Sequence, residues 1–409
     1  MKYVIVIPDG CADDAIPALG GKTPLQAATK PGMNHVASTG LVGLSNNVPA
    51  SLTAASDVAT LSLFGYDPME VYTGRAPLET VAMGINLNPG DWAIRCNLVH
   101  VIDGKMKDFT AGHISNEDGA ALVSTLQQHL GGDVKDATGN VVGKLEFHAG
   151  VSYRNILVYR AIKPAPFSKE TKTQPPHDIP DLPVAPHIPK GPGADLLNKI
   201  MDQSKELFAS HPTNKKRESE GKKVATQCWL WGQGVSPVLK KFQDIHGLKG
   251  AIISAVDLVR GVGILIGWKR IDVPGATGYL DTDYAAKGRY ALEALKEHDL
   301  VCVHVEAPDE ASHEGRADAK VDALEKIDRH IVGPLLQELP KYKDWRILIS
   351  PDHRTPLLTR AHSHGHVPFA IAGSGISSAH QNSYDEETAK SGPWKFDKGH
   401  DLMGKFLAK

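Results

Sequence analysis

A recurring short, unbroken apolar run, closed by turn residues, restricts the fold of this chain more than any other feature. "YVIVI" near the start is β-branched and ends in "PDG", the pattern of a buried strand feeding a loop. "GAIISAV", "LVCVHVEA", "WRILISPD" and "VPFAIAG" repeat it, with helical patterns such as "DYAAKGRYALEALKEH" and "KVDALEKIDRHIVGPLLQEL" lying among them. Strands alternating with helices predict an α/β fold with a mostly parallel sheet covered by helices on both faces. Active residues of such sheets gather in loops at the carboxyl ends of strands, where Asp9, Asp309, Asp352 and His353 fall.

The middle of the chain reads differently. From about Lys107 to Arg217 a helix is followed by hairpin-like strands, "KLEFHAG" and "SYRNILVYR", and by a proline-rich stretch from Lys163 to Gly193 that should run extended over the surface. With 409 residues, two domains are expected. The reading is a core of residues 1–110 and 220–409 with a smaller inserted α+β domain over 111–219, the main sheet resuming near Ala225 at "ATQCWLWGQG". A net charge of −2 points to neither nucleic acid nor an anionic membrane as partner. Cys11, Cys96, Cys228 and Cys302 are scattered without a CxxC pair, as suits reduced thiols. No run approaches the roughly 20 apolar residues of a membrane span. A soluble, cytoplasmic protein is expected, with its oligomeric state unspecified.

Four separated segments carry hard-metal ligands. "VIPDG" offers Asp9, and "EAPDEASHEG" offers Asp309 and His313, four residues apart and so on one face of a helix. "SPDHRTP" offers Asp352 and His353, and "TRAHSHGHVP" offers His362, His364 and His366. Taken singly, each Asp reads equally well as a turn or cap residue, and His364 and His366 read as solvated loop residues. Taken together they point to a metal site, whose oxygen and imidazole donors suit Mn²⁺ or Zn²⁺, with Mg²⁺ where carboxylates dominate. In "SLTAASDVATLSLFGYDP", Ser56 precedes a helical apolar run and reads as an N-cap. The same placement suits a nucleophile, because a helix N-terminus stabilises phosphate and a metal lowers a hydroxyl's pKa.

"IPDG", "SDVATLSLFGYDP", "AGHI", "EAPDEASHEG", "SPDH" and "AHSHGHVP", in this order, resemble the archaeal-type, cofactor-independent (2,3-bisphosphoglycerate-independent) phosphoglycerate mutases of the alkaline phosphatase superfamily. "WLWGQG" and "TQPPHDIPD" look more like the bacterial branch, and Ala54 and Ala55 stand where a glycine is expected directly before the serine. The resemblance implies an alkaline-phosphatase-like core, with the inserted domain as a lid, and two divalent ions, Mn²⁺ first, with Mg²⁺, Zn²⁺ or Co²⁺ as alternatives. Asp309, His313 and His362 would hold one ion; Asp9, Asp352, His353 and the Ser56 oxygen would hold the other. It further implies phosphoryl transfer between 3- and 2-phosphoglycerate through a phosphoserine on Ser56. His113, Arg154, Arg260 and Lys287 are candidates to bind the small phosphorylated substrate. A homoserine phosphotransferase and a metal-dependent phosphomonoesterase would use the same core, and a non-enzymatic binding protein would be expected to have lost ligands that are all present.

Overall fold

In the computed structural model, which describes residues 1–408, "YVIVI" lies within β1 (Lys2–Pro8), buried along nearly its whole length. In chain order the other strands are β2 (Leu41–Ser45), β3 (Trp92–Ile102), β4 (Lys105–Asp108), β5 (Gly132–Lys135), β6 (Val141–Val151) and β7 (Arg154–Ala161). They continue with β8 (Gln227–Val235), β9 (Gly250–Ile253), β10 (Lys269–Arg270), β11 (Leu300–Val305), β12 (Trp345–Ile349), β13 (Val367–Gly373) and β14 (Lys395–Phe396). By contacts the chain divides into two units, Met1–Tyr72 with Val238–Lys409, and Thr73–Pro237.

The first unit holds an eight-stranded sheet in the order β10-β9-β11-β1-β12-β13-β2-β14. All neighbours are parallel except β12–β13 and β13–β2. Parallel neighbours need long crossovers, and helices such as Tyr284–Glu297, between β10 and β11, supply them. Val4, Val6, Val301, Val303, Ile347 and Ile349 are fully or almost fully buried in one core with Leu295, Leu324 and Ile331. "KVDALEKIDRHIVGPLLQEL" is helical in three pieces, with a π turn at Asp328–Val332 between Ala317–Ile327 and Gly333–Glu338.

The second unit has its own sheet, β4-β3-β7-β6-β5, with β8 pairing β3, and its own core around Ile94, Leu98, Leu122, Phe208 and Trp229. Its limits are wider than the expected 111–219. The reason is that β3 pairs antiparallel with β7 and with β8, drawing residues 92–102 and 227–235 into one sheet. "ATQCWLWGQG" is therefore a strand of the second unit, and the main sheet resumes later, at β9. The proline-rich stretch holds only two short 3₁₀ turns, Pro176–Asp178 and Ala185–His187. All four cysteines are buried free thiols. Among the described residues no helix is long and apolar enough to cross a membrane.

Candidate active site

Four neighbouring parallel strands, β9, β11, β1 and β12, end on one side of the first unit's sheet, and the ligand residues lie at or just beyond those ends. Asp9 follows β1, Asp309 and His313 lie on the helix Ala307–His313 after β11, and Asp352 and His353 follow β12. Gly10 makes this crowding feasible. Its φ is +59°, and a Cβ there would stand 2.2 Å from Asp309 Oδ1.

Three donor atoms converge at Asp309. His313 Nε2 is 2.9 Å and His362 Nε2 3.3 Å from Asp309 Oδ2, and the two nitrogens are 3.1 Å apart. His313 Nδ1 lies 2.8 Å from the Arg360 carbonyl and His362 Nδ1 lies 3.3 Å from that of Ala54. A carbonyl can only accept, so each Nδ1 carries a proton, and each Nε2 is left either to give its lone pair to a cation or, in the imidazolium, to donate to Asp309. Two lone pairs and a carboxylate oxygen facing one another require a proton or a cation among them. Accordingly, the Asp309 carboxylate pushes the His313 imidazole up to about 9. Burial alone would raise the Asp309 carboxyl, but hydrogen bonds from His313 and His362 hold it well below the usual carboxylate range.

The second cluster is drier and more acidic. Asp9, His353 and Asp352 are almost completely buried. Asp9 Oδ1, Asp352 Oδ2 and Glu306 Oε2 are buried without a hydrogen-bond partner. Burial first, then the charges of Asp352 and Glu306, push the Asp9 carboxyl well above its ordinary range, and burial raises Glu306 to about 7. Orphaned carboxylate oxygens at this depth are costly unless a cation meets them. Both clusters fit divalent cations, and Asp9, Asp309 and His353 bring donor atoms from both within 4.8 Å of one another.

Ser56 is the first residue of the helix Ser56–Leu63, and the N-cap is Ala55, which makes no side-chain cap. The expected capping serine is thus corrected: its oxygen turns away from the helix to lie 3.1 Å from His353 Nε2. The proton order can be read from the chain of partners. The Thr355 hydroxyl donates to Asp309 Oδ1, leaving its oxygen to accept from His353 Nδ1 at 3.2 Å. His353 Nε2 is then an acceptor facing the Ser56 hydroxyl. Ala55 has φ −165°, extended backbone open to any residue, so no glycine is needed there.

The remaining candidates are placed as follows. Lys287 is fully buried and donates to the His304 carbonyl at 3.1 Å, and burial lowers its ammonium to about 8. Arg260 donates to the Ser254 carbonyl at 2.6 Å and to Asp257 at 3.2 Å. His113 and Arg154 belong to the second unit, where both lie against the Tyr153 ring. His364 meets the Leu52 carbonyl and His366 meets Asp397, apart from the ligand clusters.

Several residues here carry no motif. His304 lies 2.9 Å from Asp9 Oδ2, and burial lowers it to about 3. The buried Lys320 ammonium binds Asp13 at 2.8 Å and the Thr355 carbonyl at 3.0 Å, while Asp13 accepts from the Leu357 amide. The available signal for His304 was a lone histidine inside the apolar run "LVCVHVEA", with Glu306 two residues on.

A family model for 2,3-bisphosphoglycerate-independent phosphoglycerate mutase matches residues 37–214. A 2,3-bisphosphoglycerate-independent phosphoglycerate mutase of Methanothrix thermoacetophila is 47% identical over 409 residues, covering 100% of both chains. A solved Pyrococcus horikoshii protein superposes with a TM-score of 0.81 at 28% identity, over 99% of this chain and 97% of that one. A cofactor-independent phosphoglycerate mutase from Thermoplasma acidophilum shares the fold, with a TM-score of 0.66 at 24% identity over 100% of each chain.

Proposed function

Because the chain belongs to the 2,3-bisphosphoglycerate-independent phosphoglycerate mutase family, we propose that it interconverts 3-phosphoglycerate and 2-phosphoglycerate through a phosphoserine on Ser56. The observation that carries this reading is the Ser56 hydroxyl, buried at a helix start and aimed at His353 Nε2 beside two donor clusters.

Asp309, His313 and His362 would hold one divalent ion; Asp9, Asp352 and His353, with the Ser56 oxygen, would hold a second, Mn²⁺ being the best match to the mixed donors. When bound, such ions stabilise charge on the phosphoryl oxygens and lower the pKa of a coordinated hydroxyl. The chain's own part begins with Ser56, which gives up its hydroxyl proton and attacks phosphorus. The Oγ–P bond forms, the bond to the 3-oxygen breaks, and that oxygen takes up a proton. Glycerate then turns within the site, its 2-hydroxyl gives up a proton and attacks, and Ser56 Oγ leaves. Water must be excluded while the phosphoserine persists. His113 and Arg154, both in the unit Thr73–Pro237, would bind the substrate's anionic groups. Lys287 and Arg260, spent on the His304 and Ser254 carbonyls, would support the site from below.

The test is incubation of Mn²⁺-loaded protein with 3-phosphoglycerate and, separately, with homoserine and ATP. Formation of 2-phosphoglycerate without added 2,3-bisphosphoglycerate is expected, and Ser56→Ala should abolish it. O-phosphohomoserine or free phosphate as the main product would sink the mutase reading.

A further inference from the structure

Ser254, His304, Asp9 and Asp352 stand in a row across four adjacent strands. Ser254 follows the last residue of β9, His304 lies in β11, and Asp9 and Asp352 follow β1 and β12. The register pairs Ile253 with Val303, Ile7 with His304 and Val6 with Ile349, so Ser254 and His304 stand level, and Asp9 and Asp352 stand level with each other two residues further along the strands. His304 is wholly buried in that row.

The hydrogen bonds along the row have one consistent direction. The Val256 amide donates to Ser254 Oγ at 3.0 Å, occupying the hydroxyl as an acceptor. The hydroxyl proton then has His304 Nδ1 at 3.2 Å and the Val256 carbonyl at 3.5 Å within reach, the imidazole being the nearer. On the other side His304 Nε2 lies 2.9 Å from Asp9 Oδ2. With a cation held at Oδ1, Asp9 is an ionised carboxylate that offers no proton, so Nε2 carries the hydrogen and Nδ1 receives the serine's. Arg260 donates to the Ser254 carbonyl at 2.6 Å and anchors the turn from which this starts. With Asp9 Oδ2 engaged, Oδ1 is left buried without a hydrogen-bond partner, 3.4 Å from His353 Nε2.

His304 also has a nitrogen close enough to Asp9 and Asp352 to join them in holding an ion. The two roles exclude each other at Nε2, because a nitrogen that donates to Asp9 has no lone pair for a metal. We infer that Ser254 and His304 form a positioning relay: Ser254 fixes the imidazole tautomer, His304 grips Asp9 by Oδ2, and Oδ1 is thereby turned toward the cation. His304 is a positioning residue and not a ligand. The inference rests on Asp9 being a ligand, as proposed above.

Outer partners that orient a ligand typically account for about 10–100-fold in metal affinity. Calorimetric titration of the demetallated full chain with Mn²⁺ tests this. His304→Ala should weaken one bound ion about 10–100-fold, and Ser254→Ala should weaken the same ion by less. His304→Gln, whose amide nitrogen can take the place of Nε2, should recover most of the loss. Asp9→Ala should remove that ion altogether. Circular dichroism of the metal-free variants monitors the fold, and Ser254→Ala, which deletes one hydroxyl, keeps the test open if His304→Ala misfolds. The relay is overturned if Ser254→Ala binds like wild type while His304→Gln is as poor as His304→Ala. It is equally overturned if His304→Ala leaves the affinity unchanged. Unaltered Mn²⁺ binding by Asp9→Ala would instead strike the assignment of Asp9 as ligand.

Discussion

Thr355 shows how one hydroxyl can set the chemistry of another. Its single proton is committed to Asp309, so it can only accept from His353 Nδ1, and this leaves His353 Nε2 facing Ser56. Valine at 355 keeps the shape but neither bond. Thr355→Val should therefore lower kcat for phosphoglycerate interconversion about 10–100-fold while the protein stays folded. Steady-state kinetics and circular dichroism on the same preparation would check this, and wild-type kcat would show that the tautomer of His353 does not matter. The residues that hold reacting groups in this way are the part least legible in the sequence. Asp9, Asp352 and His353 stand beside turn residues at strand ends and could be picked out. His304 acts through Ser254 and Asp9, 50 and 295 residues away, and Thr355 through Asp309, 46 residues away, and the direction of one proton. In sequence, His304 is a polar residue in an apolar strand and Thr355 is a loop threonine.

Among the elements, the loop after β12 depends on a buried ion pair. Lys320, on the helix Ala317–Ile327, reaches Asp13 and the Thr355 carbonyl with no exposure of its side chain, and Asp13 accepts from the Leu357 amide. Removing one partner leaves the other charge buried alone, which costs about 3–5 kcal/mol. Lys320→Met should show that loss in urea unfolding. Lys320→Met with Asp13→Leu should regain only part of it, because the Leu357 amide then loses its acceptor. Equal stability of the single variant and wild type would contradict the account. The strands themselves were well announced, since "YVIVI", "LVCVHVEA" and "WRILISPD" coincide with β1, β11 and β12. The partners of β8 were not. "QCWLWGQGV" is as apolar as a main-sheet strand, and only its pairing with β3, about 130 residues earlier, assigns it to the other unit.

At the scale of the whole molecule, each unit has a core of its own, and the cation-binding candidates lie in the first. An ion that binds only the folded state stabilises it by about 2.7 kcal/mol at a hundred times its Kd. Chelation should thus lower the melting temperature, and Mn²⁺ should restore it. An unchanged melting profile would mean that the orphaned carboxylate oxygens of Asp9 and Asp352 are not met by a cation. The central claim is that the phosphoryl group rests on Ser56. The direct measurement is rapid acid quench of Mn²⁺-loaded enzyme with 3-phosphoglycerate, followed by peptide mass spectrometry. Phosphoserine at Ser56, absent from Ser56→Ala, is the predicted result. Turnover with no phosphopeptide, or with phosphate on another side chain such as His353, would contradict it.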